Sequence, residues 1–312
     1  MILGVVVALV AMAQTDAALS HFWVGRGYYN PGAAGEFNAI HLTLGSRVQW
    51  VEFERAPMNF FITADMPYKF MGQRLGLGVR AEYERIGLFT DTRIGAQLAY
   101  KRRFGKKTLS VGIQPGIYSE TFRGGDAVVP SPDEGDDQAI PVGQNVSGTV
   151  FDANVGVFFS HPRYWLGLSV THVTAPKIEL KASRESPRYY EFNVRRGYNF
   201  MAGGNIPINN TLFEIQPSGM FYMDKDAWTA QLATMVRYNR TLNVGFGYRW
   251  KDAATAFIGV NLKDAYIGYA YDYPISSISK VSVGSHEVFI TYNVKLDNHE
   301  KNKNKQKSVR LM

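Results

Sequence analysis

The sequence predicts an all-β fold, a transmembrane antiparallel β-barrel of about 14 strands with periplasmic N- and C-termini. Three observations predict it. Apolar and polar residues alternate with a period of two beyond residue 36, most alternating segments are long enough to cross a membrane, and their number is even. Successive side chains of a strand point to opposite faces, so alternation builds one oily face and one polar face. Hydrocarbon offers no hydrogen-bond partners, and a closed sheet pairs its own backbone groups there without helices.

The first segment, 38–53, sets Ile40, Leu42, Leu44, Val48 and Trp50 against His41, Thr43, Gly45, Arg47 and Gln49. Segment 57–69 follows, and 74–87 alternates Leu75, Leu77, Val79, Ala81 and Tyr83 with Gly76, Gly78, Arg80, Glu82 and Glu84. Segments 91–103 and 107–121 continue the pattern, clearest at Ile94, Ala96, Leu98 and Tyr100. Beyond a long gap come 150–160, 163–173, 189–204, 210–223 and 226–238. In 240–250, Leu242, Val244, Phe246, Tyr248 and Trp250 alternate with Asn243, Gly245, Gly247 and Arg249. After 253–261 and 264–273, the last segment, 284–296, sets Val288, Ile290, Tyr292 and Val294 against Glu287, Phe289, Thr291 and Asn293.

Most segments run 9 to 16 residues, against about 5–6 for a strand in a soluble protein and about 9–11 for a tilted membrane-crossing strand. Aromatic residues collect near their ends, at Trp50, Phe53, Tyr68, Phe70, Tyr100, Phe104, Tyr238, Trp250, Tyr271 and Tyr273, where amphipathic rings suit the head-group level. The long connections 122–149, 174–188 and 274–283 all follow odd-numbered segments, and short turns follow even-numbered ones. With the first strand starting in the periplasm, long loops face outward and short turns inward, as in outer-membrane barrels. The alternative is a soluble secreted β-sandwich, which would have shorter strands and bury its oily face.

The flanks divide the rest. Residues 2–13 form an apolar run of 12 ending in Ala11-Met12-Ala13, the small-x-small pattern of a signal peptide, although a basic n-region is missing. The expected organisation is therefore a signal peptide over 1–13, a periplasmic segment over 14–36, the barrel over 37–297 and a basic periplasmic tail over 298–312. The expected location is the cell outer membrane.

Charge and composition exclude several functions. Of the net charge of +7, the tail supplies +4 through Lys301, Lys303, Lys305, Lys307 and Arg310 against Glu300, so no nucleic-acid-binding body is indicated. The tail fits an acidic partner, phospholipid head groups or a solubilising end. With no cysteine, thiol catalysis, disulfides and zinc knuckles are excluded. The six histidines lie outside any HExxH pattern, and no GxSxG or phosphate-binding loop is present. Ser285-His286 resembles half of a hydrolase site, but a rim or lumen histidine is the commoner meaning. Asp126, Asp133, Glu134, Asp136 and Asp137 crowd the loop 122–149 without the order of a calcium loop. No catalytic residue, cofactor or metal is expected, and the chain reads as no enzyme.

One charged feature stands out within the barrel. Arg102, Arg103, Lys106 and Lys107 surround Phe104 and Gly105 in one short turn. Such a cluster needs solvation or a match, so it reads as a docking point for an acidic protein surface, a head-group anchor or a solvated turn.

Four stretches carry a family resemblance. They are HFWVGRGYYNPGAAGEFNAIHL (21–42), QWVEFERAPMNFFITADMPY (49–68), LGLGVRAEYERIGLF (75–89) and AYIGYAYDYPISSISKVSVGSHEVFITYNV (265–294). In this order they resemble the PorP/SprF family of type IX secretion and gliding proteins of Bacteroidota, over about 30–295. The basic, short-looped form looks most like PorP. The matching motif positions are Asn30, Pro31, Gly35, Trp50, Pro57, Pro67, Asp272, Gly284, His286 and Glu287. The resemblance implies a non-enzymatic outer-membrane part of the type IX machinery. Its implied partners are a periplasmic ring lipoprotein with associated secretion proteins, outer-membrane lipid and secreted cargo. The alternative is a porin-like channel, but Arg47, Arg80, Arg93, Arg195 and Arg249 on the polar face would narrow its bore. Among motif residues, Asn30-Pro31-Gly32 is expected to turn the chain into the first strand. Pro57 follows the first external turn, where a missing N–H costs little. Asp272 is expected to face the lumen and pair with Arg249 or Arg80.

Overall fold

The computed structural model describes residues 17–127, 141, 143–183 and 189–296. Five long strands lead: β1 (Ala39–Val48), β2 (Met58–Phe70), β3 (Gln73–Ile86), β4 (Phe89–Phe104) and β5 (Lys107–Arg123). β6 (Asn145–His161) and β7 (Tyr164–Thr171) follow, then a separate hairpin of β8 (Lys177–Leu180) and β9 (Tyr190–Asn193). β10 (Gly197–Gly204), the short β11 (Ile206–Pro207), β12 (Phe213–Met223) and β13 (Trp228–Tyr238) return to the main sheet. β14 (Leu242–Arg249), β15 (Ala253–Leu262), β16 (Ala265–Pro274) and β17 (Ser285–Lys295) complete it.

Every strand in the main sheet runs antiparallel to its neighbours, and β1 pairs with β17 from Ala39↔Lys295 to Val48↔His286. β10 pairs directly with β12, so the fourteen long strands close on themselves. Fourteen strands were expected, and the closed antiparallel barrel is present. At one end lie the short turns 71–72, 105–106, 162–163, 205–212, 239–241 and 263–264, together with the start of β1 and the end of β17. At the other lie the long connections 49–57, 124–144, 172–196 and 275–284.

Three boundaries differ from expectation, the first being the end of β1 at Val48 rather than at 53, because the chain turns at Trp50 with φ +52°. The segment 189–204 is interrupted at Val194, whose N–H bonds the Pro176 carbonyl, so Tyr190–Asn193 belongs to the loop hairpin and only Gly197–Gly204 to the barrel. The hairpin buries Ile178 and Leu180 against Tyr118, Phe122 and Val146 at the long-loop end. On its exposed edge, a hydrogen bond of 2.9 Å from Lys177 holds the Glu191 carboxyl below its usual range. β6 begins at Asn145 rather than 150, because its first residues pair with β5 up to Arg123.

The barrel is inside-out relative to a soluble protein. The faces of Val79, Leu232 and Phe246 look outward, with 57%, 67% and 73% of their surface exposed. Inward-facing Arg47, Thr63, Arg80, Glu82, Gln97, Asn199, Asp272 and Glu287 are buried. The predicted polar faces of β1, β3, β14 and β17 are thus the lumen faces.

The N-terminal segment corrects the sequence reading. Set outside the barrel as a periplasmic piece, it lies inside the lumen over its described residues 17–36. Its aromatic content explains this. Leu19, Phe22, Tyr28 and Tyr29 are buried against inward-facing Phe61, Phe158, Met201, Met235, Phe257 and Phe289, and burial of such side chains is worth about 1.5–3 kcal/mol each. Within it, a single helical turn over Arg26–Tyr29 precedes a 3₁₀ turn over Pro31–Ala33. The segment runs from the long-loop end, where Ser20 meets Asp272, towards the short-turn end, where Gly35 meets Asp65. Asn30-Pro31-Gly32 therefore does not turn the chain into β1, as expected; it docks inside the barrel eight residues earlier than the strand's first positions.

Wall glycines make this docking possible. A Cβ on Gly76 of β3 would collide with the Ala34 carbonyl, and one on Gly112 of β5 with the backbone of Pro31 and Gly32. Both collisions are with backbone, so a rotamer change cannot relieve them. The Gly76→Ala/Gly112→Ala double variant is expected to loosen the segment. Native trypsin digestion of the purified barrel should then release a fragment beginning at Gly27, whereas the unaltered protein resists cleavage after Arg26.

Candidate functional site

The inward faces of β1 and β13–β17 converge on the segment at the long-loop end. Arg47 of β1 donates to Asp272 of β16 at 2.6 Å and to Glu287 of β17 at 3.3 Å. Arg249 of β14 reaches Asp272 at 3.3 Å and Asp252 at 2.9 Å, and Thr255 donates to Asp272 at 2.7 Å. The expected Asp272 pairing thus holds for Arg249 and fails for Arg80, while Arg47 is added. Arg80 lies instead against the carboxylate of Glu82, 3.9 Å over the Tyr28 ring.

The segment completes this group of charges. Glu287 accepts the backbone N–H groups of Ser20 at 2.6 Å and His21 at 2.7 Å, and its Oε1 lies 2.8 Å from His21 Nδ1. The Ser20 hydroxyl donates to Asp272 at 2.8 Å and accepts from Arg47 at 2.9 Å and Arg249 at 3.0 Å. Arg249 also donates to the Ala18 carbonyl, and Gln231 to that of Leu19. Two guanidinium groups and two carboxylates are thus buried together, with the segment's backbone filling remaining positions. Such a group tolerates burial only when each charge is paired and hydrogen-bonded.

Further along, the wall meets the segment backbone by side chains again. Arg80 donates to the Tyr28 carbonyl at 2.9 Å, Gln97 to that of Gly27 at 2.7 Å and Ser169 to that of Tyr29 at 2.8 Å. The Tyr28 hydroxyl bonds Glu82. Asn30 caps the 3₁₀ turn by accepting from Gly32 N–H at 2.8 Å, and donates to the carbonyls of Val157 and Leu168 at 3.0 and 3.1 Å. Asn suits this position because its amide both accepts and donates. Gly35 has φ +66° and gives its N–H to Asp65 at 2.6 Å.

The other motif residues shape the long-loop rim. Gly284 has φ +132°, and a Cβ there would lie 2.6 Å from the Asp272 carbonyl oxygen. Its own carbonyl accepts from Val51 N–H at 2.8 Å, Trp50 N–H reaches Ser285 Oγ at 3.1 Å, and the Pro57 carbonyl accepts from Gln49 N–H. Loop 49–57 is thereby stitched to residues 284–285. Pro67 lies opposite Gly76 near the short-turn end. Ser285 faces the lumen, but His286 shares the outer face of Val288 and sits 2.6 Å from the Tyr269 hydroxyl. Neighbours on opposite faces of a strand cannot act as a dyad. Among the described residues no group of three His, Asp or Glu is placed to hold a metal. Asp133, Glu134, Asp136, Asp137 and the tail 298–312 lie outside the described residues.

The basic turn is at the short-turn end. Arg102, Arg103, Lys106 and Lys107 are exposed around Gly105, with φ +60°, and among the described residues none forms an ion pair. Sequence reading singled out this turn but missed its neighbours. Exposed Lys69, Arg74, Arg163, Arg240, Lys263 and Lys295 stand at the same end, scattered in sequence and united only by strand pairing.

The description "Type IX secretion system membrane protein PorP/SprF" matches residues 11–292. The chain belongs to the PorP/SprF family. The family makes it an outer-membrane component of type IX secretion, without deciding which member it resembles most. No curated protein matches the chain. Among solved structures, it is similar to the toluene transporter TodX of Pseudomonas putida, at 9% identity and TM-score 0.47 over 91% of this chain and 95% of that one. It is similar also to a FadL homologue of Pseudomonas aeruginosa, at 9% identity and TM-score 0.46 over 85% and 92%. A third is the translocator domain of the autotransporter NalP from Neisseria meningitidis, at 9% identity and TM-score 0.40 over 82% and 88%.

Within this PorP/SprF barrel, Arg47 is the charge that both lumen carboxylates share. Removing one partner of a buried pair costs about 3–5 kcal/mol. Arg47→Ala is expected to lower clearly the temperature at which the folded barrel converts to its unfolded mobility on a gel. Glu179→Gln, on the exposed loop hairpin, should leave that temperature unchanged.

Proposed function

We propose that this barrel is a closed attachment part of the type IX machine. It ties the periplasmic ring lipoprotein and its associated proteins to the outer membrane and supports export or surface display of cargo without passing solutes through its own bore. The observation that carries this reading is the segment 17–36, which crosses the lumen and is fixed there by buried aromatic packing and buried charges. A porin-like channel needs a continuous polar bore, and the Leu19–Phe22–Tyr28–Tyr29 packing runs against one.

Orientation follows the general habit of outer-membrane barrels, which keep short turns in the periplasm and long loops outside. On that basis the basic end faces the ring, and both ends of the strand array lie on the periplasmic side. A dense unpaired positive charge favours an acidic protein surface and speeds encounter with it. The basic end also supports a role like that of PorP within the family.

The experiment is recovery of ring proteins with a tagged barrel. Lys106→Glu/Lys107→Glu is expected to reduce recovery several-fold while barrel abundance and heat-modifiability stay normal. Recovery by the unaltered barrel should fall as salt rises, through screening. Unchanged recovery in the double variant would remove this turn from the interface.

A further inference from the structure

The N-terminal segment leaves part of the lumen empty. Towards the short-turn end, a cavity of about 290 Å³ remains between the segment and the walls. Among its lining residues, Arg237 is next to the last residue of β13 and Tyr266 is the second residue of β16. Both positions belong to the short-turn end, so the cavity is a vestibule reached from that side.

Its lining has two distinct parts. The rings of Trp23, Phe37, Trp165 and Tyr266 form apolar surfaces, and Arg26 and Arg237 supply guanidinium groups. No Asp or Glu is among the described residues that line it. Glu36 and Glu214 pair with Arg26 at 2.9 Å and Arg237 at 2.7 Å from outside the lining. Beyond these bonds neither guanidinium has a hydrogen-bond partner among the described residues, and the buried Nε of each is unsatisfied. Their side chains are still 17% and 25% exposed, so water reaches them. The Arg26 guanidinium lies 5.0 Å from the Trp165 ring and 5.5 Å from the Phe37 ring.

These features select a ligand class. The guanidinium nitrogens left over from the single glutamate bonds of Arg26 and Arg237 favour carboxylate or phosphate oxygens. A cation finds no facing carboxylate, and a purely apolar molecule leaves the guanidinium nitrogens beyond the two glutamate bonds without an acceptor. Flat aromatic walls suit a ring. The volume stands near the lower end of ligand pockets, about 300–1,000 Å³, so the ligand is small.

We propose that this vestibule binds a small aryl anion, a carboxylate or phosphate, with its charge on Arg237 and Arg26 and its ring against Trp165 and Trp23. The inference is independent of ring attachment, because its residues lie inside the lumen and the docking turn lies outside it.

The test uses the full mature barrel in lipid nanodiscs, with phenyl phosphate as the probe and tryptophan emission as the readout, corrected with barrel-free discs. A saturable response is expected, competed by benzoate, with inorganic phosphate and benzyl alcohol each at least tenfold weaker. Arg237→Gln should weaken phenyl phosphate at least tenfold with heat-modifiability unchanged. Glu214→Gln, which frees Arg237, should keep binding or tighten it. No saturable response, benzyl alcohol binding as well as phenyl phosphate, or full affinity in Arg237→Gln would overturn the proposal.

Discussion

A carboxylate buried in the lumen, Glu287, accepts two successive backbone N–H groups of the N-terminal segment while Arg47 balances its charge. The rest of the interior depends on this contact. A barrel that shows an oily face to lipid carries polar side chains inside, and those groups need partners once water is displaced. The segment supplies them with its backbone and with Ser20. In return the wall satisfies a stretch of chain too short for stable secondary structure of its own. Neither part is satisfied alone, which explains why aromatic and charged positions share one lumen.

The family motifs take physical meaning from that arrangement. Asn30 is held by a turn cap on one side and two strand carbonyls on the other. Gly35 combines a left-handed backbone with a close approach to Met66 and Gly76. Asp272 and Glu287 are the acceptors for Ser20 and His21, and Gly284 lets the chain pass the Asp272 carbonyl before β17 begins. Most of these positions serve the docking of the segment or the rim above it. The motif positions therefore hold a closed interior together.

The strands were legible in the sequence because lipid and lumen impose a strict period of two. The polar face of β3, Gly76 through Glu84, was assigned correctly residue by residue. The interior occupant was not legible as such, because residues 17–36 follow neither a strand nor a helix period. A signal did exist. Phe61, Phe158, Phe257 and Phe289 occupy the polar parity of their strands, where a water-filled bore has no use for them. Glycines on that parity pointed the same way: they admit backbone, not merely solvent. The division of 189–204 was missed because loop-hairpin residues Tyr190 and Phe192 continue the alternation of the strand that follows.

Conductance of the purified mature protein in a planar bilayer separates a filled lumen from an open one most directly. The unaltered barrel should insert without steady channels, and Glu287→Ala, which removes the acceptor for Ser20 and His21, should produce fluctuating openings. A large, steady conductance from the unaltered barrel, unchanged in Glu287→Ala, would contradict a lumen closed by residues 17–36.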